Sequence, residues 1–259
     1  MIAFHSDVQT IDRLRGKFPF VEPIFVHRKF DRGARVHRWI ATHILKTDYV
    51  SSNRLSRWIG RYPLHIICDR YFLALKVVTT HRNMLSNVML CDSRDVIFQG
   101  DPFRWIQHKL ISGLEPKTIG NCSHNTAWIR QLYGTDIFGE LCNKTIVCAG
   151  VTLGPVKEIE RYLHEMCKEI WVHLAEVTTS RDLDQGVHNY LIHKKAFPCE
   201  LTDNQSGLIA TLHHENPTNI SIDEAGGLIK VRGKYPIVVH QYDRHPCLVR
   251  WLEKSVWYP

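Results

Sequence analysis

Asp92 and Asp95 are the residues whose type and spacing say most about chemistry. They lie in the segment VMLCDSRDVIFQGDPF (residues 88–103), between the apolar run Val88–Cys91 and a second run that ends in Gly100-Asp101-Pro102. The first run is too short for a core helix and reads as a buried strand of a mostly parallel sheet. Carboxylates released at the carboxyl end of such a strand stand where open α/β sheets bind ligands. Two of them this close repel unless something positive lies between, most simply a divalent cation. The plainer alternative is a solvated turn in which Arg94 pairs with a flanking carboxylate.

DSRDVIFQGDP resembles the metal-binding Asp-x-Asp segment of nucleotide-sugar glycosyltransferases of the GT-A fold. Three later segments resemble the same family in the same order. VCAGVTLGP (147–155) is similar to its loop of Asn or Cys, a small residue, Gly and Val. LDQGVHNYL (183–191) is similar to its Asp-Gln-x-x-x-Asn segment, and IVVHQYDRHP (237–246) to its last strand, which ends in His before a basic residue and Pro. Glycogenin-like and galactosyltransferase-like enzymes are the nearest relatives by motif, and residues 1–65 lie outside the resemblance. There are departures. Two residues, not one, separate Asp92 from Asp95, so Ser93 takes the first Asp-x-Asp position if Asp95 is the second. Either Arg244 or His245 takes the place of the family's phosphate-binding lysine.

The resemblance implies an α/β, GT-A-like fold related to the Rossmann type, with a mostly parallel sheet flanked by helices. It implies metal ligands Asp92, Asp95 and His240 for Mn2+ or Mg2+, and catalytic residues Asp184 and Gln185. Donor contacts would come from Arg70, Asp92, Arg94, Cys148, Ala149, Gly150 and Arg244. The partners implied are a UDP-linked nucleotide-diphosphate sugar and a hydroxyl of a glycan or other acceptor. A metal bridging a diphosphate stabilises the leaving group, and one imidazole among oxygen ligands favours Mn2+. Each residue also has an ordinary reading. His240 alone fits a satisfied strand-end histidine, Asp184 a helix N-cap, Gly150 a turn and Arg70 a surface residue, and Asp182 is a rival for the role of Asp184 beside the donor sugar.

Composition sets outer limits. The chain has 259 residues, 44% hydrophobic and 23% charged, enough for one sizeable core. We expect a single domain over 1–259, nucleotide-binding to about residue 150 and acceptor-side beyond it. The formal charge of +7 is dispersed, without a basic block or basic–aromatic interleaving, which argues against nucleic acid as partner. No uncharged apolar stretch reaches 18 residues, so no membrane span is expected. The eight cysteines include no C-x-x-C and read as reduced core residues. Without a recognisable signal segment a cytoplasmic protein is expected. Asn121, Asn143, Asn204 and Asn219 each open an Asn-x-Ser/Thr triplet, which leaves a luminal fragment as the alternative.

The elements that must position these residues follow from periodicity. Ile2–His5, Pro23–His27 and Leu64–Cys68 read as strands, and Gly33–Lys46 and Arg70–Thr80 as helices. Thr145–Cys148 reads as a strand that turns at Gly150 and Gly154-Pro155. A helix starts at Pro155 and carries Ile159, Tyr162, Leu163, Met166 and Ile170. Leu228–Val231 and Ile237–His240 read as strands, and Pro246–Lys254 as a helix. Two rival functions remain at this level, a metal-dependent phosphohydrolase or nucleotidyltransferase and a non-catalytic basic binding module.

Overall fold

A computed structural model describes residues 2–5, 12, 16–17, 22–25, 64–106, 108–177, 183–223 and 225–254. The expected helix Gly33–Lys46 and Asp182 lie outside them. In chain order the elements are β1 (Ile2–His5), β2 (Glu22–Phe25), α1 (Ile66–His81), β3 (Asn87–Cys91), β4 (Val96–Phe98), β5 (Leu110–Thr118), α2 (Ser123–Leu141) and β6 (Thr145–Pro155). There follow α3 (Val156–Val172), α4 (Leu174–Val177), α5 (Leu183–His193), β7 (Cys199–Thr202), β8 (Ile209–Thr211), β9 (Ile220–Asp223), β10 (Leu228–Val231), β11 (Val238–His240) and α6 (Pro246–Lys254).

The architecture is α/β, but the sheets are mixed rather than mostly parallel. The larger has the order β3-β6-β5-β7, with β6 antiparallel to both β3 and β5 and only β5–β7 parallel. The second has the order β4-β11-β8, antiparallel then parallel. β1 pairs with β2 in parallel. The expectation failed on one connection. A helix between two strands ordinarily carries the chain to the far end of the sheet and yields a parallel pair. Here α2 is broken at Gly134, whose φ of 79° suits glycine, and the connection begins and ends at one place. Ile119 N–H donates to Lys144 O at 2.9 Å and Gly120 N–H to Cys142 O at 2.7 Å. β6 therefore starts beside the end of β5 and runs back along it.

Two local readings are also corrected. Leu64–Cys68 is no strand. His65 caps the start of α1, its Nδ1 accepting from Ile67 N–H at 3.4 Å. An apolar run this short fits either element, and the helix beyond it decides. Gly150 and Gly154 are not turns, because β6 runs through both for 11 residues with nearly every position buried. Pro155 then stands as the residue before α3. Ile2–His5, the strand before Asp92, Leu228–Val231 and the C-terminal helix stand as read, with the second strand shifted to Glu22–Phe25.

One face of the larger sheet is covered by α1, α3 and α5, where Tyr71, Phe72, Tyr162, Leu163, Met166, Ile170, Val187 and Leu191 form one buried cluster. In α3 these residues recur at the helical period the sequence shows. A second cluster, Ile111, Val151, Leu153, Ile209 and Val238, joins the two sheets. Buried Asn189 of α5 clamps β6 edge-on, accepting from Val147 N–H at 2.9 Å and donating to Val147 O at 3.0 Å. No described helix is long and apolar enough to cross a membrane.

Glu215 ties the loop after β8 to the turn after β10. Arg232 donates to both of its oxygens, at 2.8 and 3.0 Å, and Asn204 and Asn219 donate at 2.7 and 2.8 Å. Two of the four Asn-x-Ser/Thr asparagines are thus engaged inside the fold, while Asn121 and Asn143 are exposed. Burial works against the Glu215 charge, but these donors outweigh it and bring its pKa from 4.5 down to about 2. A depressed folded-state pKa adds stability that is present above 4.5 and is lost as pH falls toward 2. Urea unfolding across that range should therefore show the wild-type advantage over Glu215→Gln growing with pH. A pH-independent difference would contradict the assignment.

Candidate metal centre

Asp92 is released at the end of β3, and its N–H donates to Gly150 O at 2.9 Å across the ladder with β6. Asp95 lies at the start of β4. β11 pairs with β4 in the register His240↔Val96, which brings His240 beside both carboxylates. His240 Nε2 is 3.6 Å from Asp92 Oδ2 and 3.7 Å from Asp95 Oδ2. One ligand atom from each of the three lies within 4.8 Å of the others. Gln241, in left-handed backbone at φ 59°, closes the turn by donating its N–H to Asp95 O at 2.8 Å. A non-glycine residue in that region is uncommon and marks a constrained turn.

These residues suit a hard or borderline divalent cation. His240 is only 1% exposed, yet its Nε2 has no hydrogen-bond partner within the protein. A buried, unpaired ring nitrogen costs on the order of 1–3 kcal/mol unless something binds it. Two carboxylate oxygens and one imidazole on an open edge match Mn2+ or Mg2+ chemistry, with coordination positions left for other oxygens.

Gly150 makes the meeting possible. A Cβ there would collide with His240 Cε1 and Nε2 and would stand 2.8 Å from Asp92 Oδ2. The residue belongs to a strand, so its role is close approach and not a turn. Cys148, two residues earlier on the same face, puts its Sγ 3.5 Å from His240 Nδ1.

Arg70 of α1 is a half-buried counter-charge that faces the site. Its Nη1 pairs with Asp92 Oδ1, and its Nη2 donates to Asp184 Oδ2 at 2.9 Å. Tyr71 OH donates to the same Asp184 oxygen at 3.1 Å. Burial would raise the Asp92 pKa, but His240 and Arg70 outweigh it and hold the carboxyl down at about 2. Asp95 lacks such a guanidinium, and burial pushes it up. Burial likewise pushes Asp184 up, against the pull of Arg70. Asp92 is the charged anchor of the pair.

Asp184 sits within the first turn of α5 and its side chain reaches Arg70 and Tyr71. Gln185 Oε1 accepts from Ala149 N–H at 2.8 Å, which fixes the backbone beside Gly150. The sequence-selected residues Arg70, Asp92, Asp95, Cys148, Ala149, Gly150, Asp184, Gln185 and His240 therefore converge. Arg94 and Arg244 lie at the rim. The Arg94 side chain is exposed, and its carbonyl accepts from Tyr242 OH at 3.2 Å. Arg244 pairs with Asp243 at 3.4 Å. His245 is buried against Leu212 O at 2.8 Å, which leaves Arg244 as the accessible basic residue of that segment.

Sequence reasoning missed Tyr71 and Glu115. Glu115, 4% exposed, accepts from Gln185 Nε2 at 3.2 Å in a stretch of β5 where the register with β6 shifts. Its signal was an acid within the apolar strand LISGLEPKT.

If Asp92, Asp95 and His240 share a cation, isothermal titration should find Mn2+ binding in the wild-type chain and its loss in Gly150→Ala, while circular dichroism stays native. Unchanged affinity would show that His240 and Asp92 do not need to meet at this position. No protein-family model matches the chain and no curated protein matches it, so the chemistry of the site has to be read from its geometry.

Proposed function

We propose that this chain is a metal-dependent glycosyltransferase of GT-A-like fold that transfers a sugar from a nucleotide-diphosphate donor, UDP-linked, to an acceptor hydroxyl. The observation that carries this reading is the buried His240 Nε2, unpartnered and facing Asp92 and Asp95 across the bare backbone of Gly150. That contact unites three segments whose sequences resemble this family in order, and Gln185 ties in the fourth.

Asp92, Asp95 and His240 would hold Mn2+ or Mg2+, which when bound supplies Lewis-acid stabilisation to a leaving diphosphate. Arg70, between Asp92 and Asp184, would orient the donor's anionic and sugar portions as a planar fork. Asp184, held by Arg70 and Tyr71, would bind donor-sugar hydroxyls. Gln185, through Ala149, would keep the strand backbone at Gly150 close to the sugar. Positioning of this kind accounts for much of the rate in transfer reactions with little covalent chemistry on the protein.

A thermal-shift panel tests the reading, since a ligand that binds only the native state stabilises it. UDP with Mn2+ should raise Tm more than either alone, and Asp95→Ala should remove the synergy while keeping the unliganded Tm within a few degrees. Equal stabilisation by ADP, GDP, CDP and UDP would remove the uridine assignment. No nucleotide effect would favour the binding-module alternative.

Asp184→Asn should spare UDP–Mn2+ stabilisation and lower turnover of the donor by about 10²-fold, as loss of one preorganised contact to the reacting group does. A fully active variant would deprive Asp184 of this role.

A further inference from the structure

The two ring nitrogens of His240 face different surroundings. Nε2 looks toward Asp92 and Asp95, at 3.6 and 3.7 Å, and has no hydrogen-bond partner. Nδ1, on the other side of the ring, lies 3.5 Å from the sulfur of Cys148. His240 and Cys148 are only 1% and 3% exposed, so solvent takes little part in this contact. Cys148 stands on β6 two residues before Gly150, and strand alternation puts its side chain on the face where the bare Gly150 backbone admits the imidazole. Glu115 of β5 faces the same sulfur, and its Oε1 is held by Gln185 Nε2 at 3.2 Å.

A neutral imidazole carries one ring hydrogen. If Nε2 is to bind a cation it must be bare, and the hydrogen then sits on Nδ1 and needs an acceptor. Histidine ligands ordinarily find that acceptor in a carboxylate, a backbone carbonyl or water, and the partner fixes both tautomer and ring orientation. Here a sulfur stands in that place. A thiol buried in this way keeps its own hydrogen. That hydrogen can turn to the Glu115 carboxylate and leave the sulfur lone pairs to Nδ1–H. A thiol is also a donor, so it satisfies Nδ1 equally when the ring hydrogen sits on Nε2. A carboxylate or carbonyl could only accept.

Resting on the metal-centre reading, we propose that Cys148 is a positioning residue of that centre: its sulfur accepts the Nδ1 hydrogen of His240 and so presents a bare Nε2 to the cation shared with Asp92 and Asp95. The thiol touches the ligand and not the cation. This role differs from the donor contact that the resemblance of its segment implies.

Mn2+ titration calorimetry of the whole chain, of Cys148→Ala and of Cys148→Ser tests this, together with nitrogen-15 histidine spectra in the presence of Zn2+. Zn2+ is a diamagnetic stand-in that takes imidazole and carboxylate ligands. The His240 signals are identified by comparison with His240→Gln. In the zinc-bound wild-type chain the hydrogen of His240 should sit on Nδ1. Cys148→Ala, with native circular dichroism, should bind Mn2+ about 10- to 100-fold more weakly, as loss of a ligand's hydrogen-bond partner does. Cys148→Ser keeps an acceptor and should recover most of the affinity. Equal affinity in the wild-type chain and Cys148→Ala would overturn the proposal. So would a loss shared in full by Cys148→Ser, which would mean packing alone, or zinc bound through Nδ1. The zinc spectrum of the wild-type chain decides the matter even where the alanine variant fails to fold. A wild-type chain that binds neither cation would instead remove the metal-centre reading, and the proposal with it.

Discussion

Three chain segments meet at this site only because β6 carries no side chain at position 150. His240 lies across that bare backbone, against the carboxylates that β3 and β4 deliver. Steric access comes before electrostatics here. Attraction between an imidazole and two acids would count for nothing if a methyl group filled the space between them. The antiparallel pairing of β3 with β6, and of β4 with β11, then fixes the approach to within a residue. A slip of one position in either ladder would turn Asp92 or His240 to the opposite face.

Arg70 provides the charge balance that lets such an acidic site fold. It pairs with Asp92 on one side and Asp184 on the other, reaching from α1 to α5 while staying half-exposed. Only Asp184 is buried in this network, so it is there that loss of the guanidinium would leave a charge without a counter-charge. The guanidinium therefore links the acid proposed to hold the metal to the acid proposed to face the donor sugar. A network of this kind specifies one arrangement of side chains, as the proposed transfer would require.

Much of the site was legible in the sequence, the Asp pair as acids that end an apolar strand, and His240, Asp184, Gln185 and Gly150 through the resemblance of their segments to one family. Asp92 and Asp95 follow a strand that stands as read, and His240 ends another. The Asp-Gln pair opens α5, where Asn189, one turn after Gln185, clamps β6. The sheet was misread where the sequence is locally silent. Nothing in the sequence announces that the chain returns to the end of β5 before β6 begins, yet that return makes β5 and β6 antiparallel. Gly150 and Gly154 looked like turns because glycine more often marks a bend than a strand that must be approached closely. Leu64–Cys68 looked like a strand because its length cannot distinguish a strand from the first turn of a helix. Glu115 and Tyr71 escaped notice because their partners, Gln185 and Asp184, are distant in the chain.

The central claim is that Asp92, Asp95 and His240 share one divalent cation. Electron spin-echo modulation of Mn2+ bound to nitrogen-15 histidine-labelled protein tests it most directly. The account predicts coupling to a single histidine nitrogen, present in the wild-type chain and lost in His240→Gln. Mn2+ that binds without histidine coupling, or whose coupling survives in His240→Gln, would contradict it.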